Sequence, residues 1–144
     1  MRNDELRAAI RDAFRSLDAV AEDAIRRELA QPVDLGHSGR LQFEACPCFF
    51  GVRLVQTSEE VIGDAAVSDA ISLELRAAAA SADLDVYEGI EAELPLWLAE
   101  RWQATGGPEH YRPAYLLFHG GLNEPRYDLE LRRWCEVSEV WPEG

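Results

Sequence analysis

The stretch 41-LQFEACPCFFGVRLVQT-57 decides the fold class, because its pattern predicts two strands joined by a short connection. From Leu41 to Ala45 apolar and polar residues alternate, as in a strand with one buried face. We expect the second strand over Phe49 to Thr57. Pro47 cannot donate to a strand ladder, so the Cys46-Pro47-Cys48 corner is either a bulge at a sheet edge or a tight connection, and we favour the connection.

Further strands are predicted in the last third of the chain. The apolar run from Ala114 to Phe118 is typical of a buried strand. Apolar and charged residues alternate from Tyr127 to Leu131, which indicates a strand with one face in water. The segment from Cys135 to Val140 could continue the same sheet after a break at Trp134.

Three segments show helical periodicity. From Asn3 to Ala30 apolar residues recur at spacings of three to five, and Pro32 ends the pattern, which predicts one long amphipathic helix. A second helix is expected from about Ala66 to Ala82. Pro95 suits the first turn of a third helix over Leu94 to Thr105.

The order of these elements indicates an α+β fold, because strands precede and follow a helical middle instead of alternating with helices. We predict a mostly antiparallel sheet of about four to five strands, packed with a long N-terminal helix and two further helices. A chain of 144 residues with 47% hydrophobic content can bury the core of one domain, so we assign residues 1–144 to a single globular domain.

The negative charge is unevenly distributed along the chain. Of a formal net charge of −13, the stretch from Leu54 to Glu100 carries eleven acidic residues and one arginine. Acidic residues at the start of the second predicted helix have a structural reason to be there, because the positive end of the helix dipole stabilises them. The segment from Asp83 to Glu93, which we interpret as a connector, holds five acids without such a structural reason. This charge disfavours nucleic-acid binding, which needs a basic surface, and suits a basic protein partner.

Tyrosines near this segment could supply packing while the carboxylates attract the partner. We assign partner binding to Asp83, Asp85, Tyr87, Glu88, Glu91, Glu93 and Tyr111. In size and charge the chain resembles bacterial toxin-immunity proteins and nuclease inhibitors. The resemblance implies an inhibitor that neutralises a basic protein, with no enzymatic activity.

Two alternatives from other functional classes remain open at this point. The first is a small enzyme or ligand-binding domain, with a pocket around His119, Tyr115, Tyr127 and Asp128 and with Glu130 nearby, because an imidazole at a strand end titrates near neutral pH. The second is a homo-oligomer that uses the apolar stripe of the N-terminal helix as its seam.

The cysteines and the apolar runs favour an intracellular protein. Three cysteines are an odd number, which suits a reducing compartment, and the single residue between Cys46 and Cys48 is too short a spacing for a usual zinc site. We therefore expect no cofactor and no metal. The N-terminus lacks a secretory-signal pattern, and no apolar run approaches the ~20 residues of a membrane span. We expect a cytoplasmic protein that does not bind membranes.

Overall fold

A mixed sheet and the helices packed against it form the core of the protein. The computed structural model describes residues 3–35, 40–46, 49–70, 86–118 and 125–136. The helices are α1 (Asn3–Arg15), α2 (Asp18–Leu29), α3 (Asp64–Ala70), α4 (Val86–Ala104) and the single turn α5 (Gly107–His110). The strands are β1 (Leu41–Cys46), β2 (Phe49–Leu54), β3 (Glu60–Ile62), β4 (Ala114–Phe118), β5 (Arg126–Asp128) and β6 (Arg133–Cys135).

The sheet confirms the α+β class and corrects two details of the prediction. Among the described residues it has six strands, in the order β3-β2-β1-β4-β5-β6, instead of four to five. Strands β1 and β4 pair in parallel and the remaining neighbours pair antiparallel, so the sheet is mixed and its centre is parallel. The long segment between β3 and β4 makes this possible, because parallel neighbours need a crossover connection.

The predicted long N-terminal helix is wrong, because the chain bends between α1 and α2. At the bend Ser16 Oγ donates to the carbonyl of Ala13 at 2.6 Å, and Leu17 N donates to the carbonyl of Phe14 at 2.9 Å. These bonds close a tighter turn than the α-helix and end α1. Leu17 is buried at the bend, whereas Val20, which the periodicity placed on the apolar stripe, is 54% exposed.

The apolar stripe of α1 lies in the core of the same chain. Leu6, Ile10 and Phe14 are all fully buried there. These three residues are therefore core residues of the monomer.

The connection after β1 is a hairpin, as predicted. Cys46 and Phe49 are register partners in the antiparallel β1–β2 pair, so the two residues between them join neighbouring strands. Pro47 and Cys48 themselves lie outside the described residues. The second strand ends at Leu54 instead of Thr57, because Leu54 N donates to the carbonyl of Glu59 at 2.8 Å and closes a turn that leads into β3.

Helix α4 begins eight residues earlier than predicted. The segment from Val86 onward is helical instead of a connector, and Pro95 lies inside the helix instead of in its first turn. Proline removes one helical hydrogen bond. Here Pro95 is buried in a helix that packs on both α1 and α2, and this tertiary packing supports the interrupted helix. The other predicted middle helix is represented by α3, and residues 71–82 of that prediction lie outside the described part.

The C-terminal strand is also shorter than predicted. Strand β5 ends at Asp128, whose Oδ1 accepts the backbone N–H groups of Glu130 and Leu131, both at 2.8 Å. Arg132 N donates to the Asp128 carbonyl at 2.8 Å, and Arg132 adopts a left-handed φ of 57°. This turn reverses the chain, so Trp134, predicted as a break, lies within β6.

Aromatic side chains join the helices to the sheet. Phe14 of α1 stacks on Trp97 of α4 with ring centroids 5.1 Å apart. Phe43 of β1 meets Trp102 of α4 edge to face at 5.6 Å. Offset and edge-to-face pairs stabilise a core beyond the area they bury. Helix α4 therefore connects the N-terminal helix to the centre of the sheet.

Candidate functional site

Helices α1 and α4 lie side by side and run in the same direction. A Cβ on Gly89 would overlap Ile10 Cδ1. Further along the same pair, Arg7 and Arg11 bond to Glu93, and Phe14 stacks on Trp97. Residue numbers rise together on both helices, so their N-terminal ends lie at the same end of the molecule.

Four exposed carboxylates lie at this shared end. They belong to Asp4 and Glu5 in the first turn of α1 and to Glu88 and Glu91 in the first two turns of α4. We call these four residues the acidic end. Carboxylates in the first turn of a helix, here Asp4, Glu5 and Glu88, are stabilised by the helix dipole, which lowers the cost of placing like charges at one end of the molecule.

Glu93 is not part of this surface, and the expectation that it lies on an exposed acidic face is wrong. Its side chain is 2% exposed. Glu93 Oε1 accepts from Arg7 Nε at 2.8 Å and from Arg11 Nη2 at 3.0 Å, and Oε2 accepts from Arg11 Nε at 3.1 Å. Five residues along a helix rotate a side chain by about 140°, so Glu93 points away from Glu88.

The Glu93 cluster, defined as Glu93 with Arg7 and Arg11, was missed by sequence reasoning. The hydrogen bonds and the charge of Glu93 raise the pKa of Arg11 above its ordinary value. The one signal in the sequence was the i,i+4 spacing of two arginines on α1, and that spacing is equally typical of a solvated helix face. The carboxylate that binds both arginines lies more than 80 residues away.

The other assigned partner-binding residues have different positions. Asp83 and Asp85 lie outside the described residues. Tyr87 is in the first turn of α4, and its side chain also lies outside the described part. Tyr111 is half-buried, and its hydroxyl accepts the backbone N–H of Val33 at 2.9 Å. Tyr111 therefore holds the segment that follows α2, and of the assigned residues Glu88 and Glu91 have exposed side chains.

The arginines are mostly matched by carboxylates of the same chain. Ion pairs outside the Glu93 cluster include Arg15–Asp12, Arg26–Asp23, Arg53–Glu44, Arg112–Glu130, and Arg101 with Asp18, Glu22 and Glu100. These pairs neutralise the helix flanks and the sheet locally. The exposed carboxylate of Glu91 at the acidic end is not among these pairs.

The described residues of the alternative pocket lie on two different faces of the sheet. In the β4–β5 register Tyr115 is opposite Asp128 and Leu116 is opposite Tyr127, so Tyr127 projects from the other face of the sheet. Tyr127 belongs to the main core, and Asp128 is engaged in its turn. His119 lies outside the described residues. The three described members therefore do not line one pocket.

The two buried tyrosines predict a loss of stability at alkaline pH. Burial raises the pKa of both Tyr115 and Tyr127 above the ordinary value near 10, and the charge of Asp128 adds to the effect. A raised folded-state pKa contributes stability that is present below the unfolded-state pKa and is lost as the pH rises through the folded-state pKa. We therefore expect the free energy of unfolding to fall above about pH 10.

Urea unfolding at neutral pH and near pH 11 measures this fall in the free energy of unfolding. The variant Tyr115→Phe/Tyr127→Phe should lose less stability between the two pH values than the unchanged protein. Absorbance of the tyrosinate near 295 nm should also show that the variant lacks the late-titrating phase. Equal losses in both proteins would contradict the assignment to these hydroxyls.

Comparison with known proteins gave no match to a protein-family model, a curated protein or a solved structure. Within the described ranges, no cluster of three or more His, Cys, Asp or Glu side chains has the geometry to hold a metal ion, and Cys135 is a buried thiol. Among the same residues, no helix is both long and apolar enough to cross a membrane.

Proposed function

We propose that this protein is a cytoplasmic inhibitor or immunity-type protein that binds a basic protein partner through the acidic end. The observation that carries the proposal is the parallel packing of α1 and α4, which brings Asp4 and Glu5 to the same end as Glu88 and Glu91. These two pairs of acids lie more than 80 residues apart in the sequence. Their position at one end makes a surface that a cationic patch can contact at once.

The electrostatics of this end suit fast association with a cation-rich surface. Carboxylates at the rim of an interface steer a basic partner and raise the rate of encounter, and salt weakens this attraction. Glu91 makes no hydrogen bond or ion pair with any residue in the described part of the chain, so its charge is available to a partner.

Charge reversal at the acidic end should weaken salt-sensitive binding of the partner. We expect Glu88→Lys/Glu91→Lys to weaken binding of the basic partner at least about tenfold, because two attractive contacts become repulsive. The measurement is affinity capture from the source cells at low and high salt, followed by titration with the captured protein. Circular dichroism checks the fold, since lysine near a helix N-terminus costs up to about 1 kcal/mol.

The control is Glu59→Lys/Glu109→Lys, which makes the same change of net charge at exposed positions outside the acidic end. This control should keep most of the binding. If both double variants lose the partner equally, net charge alone causes the attraction and the acidic end is not the binding surface. A basic partner that the Glu88/Glu91 variant binds normally would also overturn the proposal.

A further inference from the structure

Strand β6 lies at one end of the sheet, and among the described residues it pairs with β5 alone. The hairpin of these two strands carries two exposed large apolar side chains, Leu131 at 60% and Trp134 at 45%. In the stretch 130–136 two acids are balanced by two arginines, whereas the whole chain has a formal net charge of −13. An edge strand is a template for pairing with another strand, and here the local charge does not oppose the approach of a second acidic chain.

The indole of Trp134 is held in place by the sheet. Its ring meets Tyr127 edge to face with centroids 5.3 Å apart, and it lies tilted against Phe118 at 6.0 Å. These two contacts already restrict the side chain, so ordering it in an interface costs little further entropy. Trp134 is therefore a preorganised apolar contact on the edge strand.

Arg132 lies on the same side of the hairpin as Trp134. Its Nη2 donates to Gln103 Oε1 of α4 at 3.0 Å, and Trp134 packs on Tyr127, which shares a core cluster with α4. Gln103 is neutral, so this bond does not compensate the charge of Arg132. Glu136 is also exposed, and a carboxylate can accept several hydrogen bonds. Trp134 thus has a cation two residues before it and an anion two residues after it.

We propose that β6 pairs antiparallel with β6 of a second copy of this chain, around a two-fold axis at Trp134. In this register, residues at equal distances before and after Trp134 are opposite each other. Trp134 then meets its own copy, and Arg132 lies opposite Glu136 of the partner subunit on both sides of the axis. An axis at Arg133 would instead place Glu130 opposite Glu136 of the partner subunit, and these two acids would repel each other.

The dimer is independent of the function proposed above, because it uses none of the residues of the acidic end. Sedimentation equilibrium of the full chain measures it. One short strand makes a smaller contact than a standard interface, so we expect a dissociation constant of about 10–100 µM, within reach of protein concentrations of about 5–500 µM.

Reversing either charge of the proposed pair should weaken the dimer. We expect Arg132→Glu to raise the dissociation constant at least about tenfold, because the two-fold axis turns two attractive pairs into two repulsive ones. Glu136→Arg should have the same effect although it lowers the net charge of the chain, and it leaves the bond between Arg132 and Gln103 in place. Circular dichroism checks that each variant is folded.

The double variant Arg132→Glu/Glu136→Arg exchanges the two charges. It should restore the dissociation constant to within about threefold of the unchanged protein, because opposite charges again face each other. The control Arg26→Glu makes the same change of net charge as Arg132→Glu at an exposed position on α2, and its effect should be less than about threefold. A chain that stays monomeric over the whole range, a charge exchange that does not restore the dimer, or equal losses from Arg26→Glu and Arg132→Glu would each overturn the proposal.

Discussion

Replacing Arg7 and Arg11 together by methionine is expected to lower the free energy of unfolding by about 3 kcal/mol. Methionine keeps a flexible stem over the helix surface and removes every donor to Glu93. The carboxylate of Glu93 is 2% exposed and then remains buried without a counter-charge. Removing the partners of a buried charge costs more than an ion pair contributes, because the remaining charge keeps its desolvation penalty.

The same cluster predicts a rescue. Adding Glu93→Met to the double variant should restore the free energy of unfolding to within about 1 kcal/mol of the unchanged protein, because a fully apolar replacement leaves no buried charge. Glu93→Gln alone should cost less than the arginine double variant. The side chains of Arg7 and Arg11 are 39% and 49% exposed, so water can solvate them once Glu93 is neutral.

Urea unfolding followed by circular dichroism measures each of these differences. Arg15→Met is the control, because Arg15 is on the same helix and its pair with Asp12 is exposed, and we expect a change within about 0.5 kcal/mol. If the arginine double variant is as stable as this control, Glu93 does not depend on its two partners. A triple variant less stable than the double variant would also contradict the account.

Gly107→Ala is expected to destabilise the protein by about 3 kcal/mol. A Cβ at this position would overlap the fused-ring atoms Cδ2, Cε2 and Cε3 of Trp102. Trp102 is 1% exposed and packs edge to face against Phe43, so its ring has no space into which it can move. The added methyl group must therefore displace either α5 or the centre of the core.

Two other glycines provide graded controls for this substitution. A Cβ at Gly63 would lie 3.1 Å from Glu60 Oε2, the end of an exposed side chain that can rotate away. A Cβ at Gly89 would meet Ile10 Cδ1, which is buried but is also the end of a flexible side chain. Thermal and urea unfolding should give losses that increase from Gly63→Ala to Gly89→Ala to Gly107→Ala. An equal loss at Gly63 and Gly107 would mean that the contact with Trp102 does not decide the cost.

Local patterns predicted most of the elements that are regular over their whole length. The strand from Ala114 to Phe118 has the predicted ends, because a run of five apolar residues directly after a proline is typical of a short buried strand. The alternation that begins at Leu41 correctly places Leu41, Phe43 and Ala45 on the buried face. The bend at Ser16 was missed because serine and leucine are both tolerated within helices, and the bonds that end α1 leave no pattern in the sequence.

The candidate site was predicted in part. Glu88 and Glu91 are exposed as expected, whereas Glu93, two residues later, is buried. A connector has no preferred face, so the sequence pattern could not distinguish exposed from buried acids between Asp83 and Glu93. Once the segment from Val86 is helical, its rotation decides which carboxylates reach water and which meet α1.

The sequence by itself determined the α+β class, the approximate positions of the strands and the strong negative charge, because these depend on composition and on periodicities of a few residues. Only the tertiary structure decided that β1 and β4 are parallel neighbours, that α1 and α4 bring four acids to one end, and that Glu93 is bound by arginines more than 80 residues away. These features depend on packing energies between distant segments. Such energies are set by shape and burial across the whole chain, and no short stretch of sequence contains them.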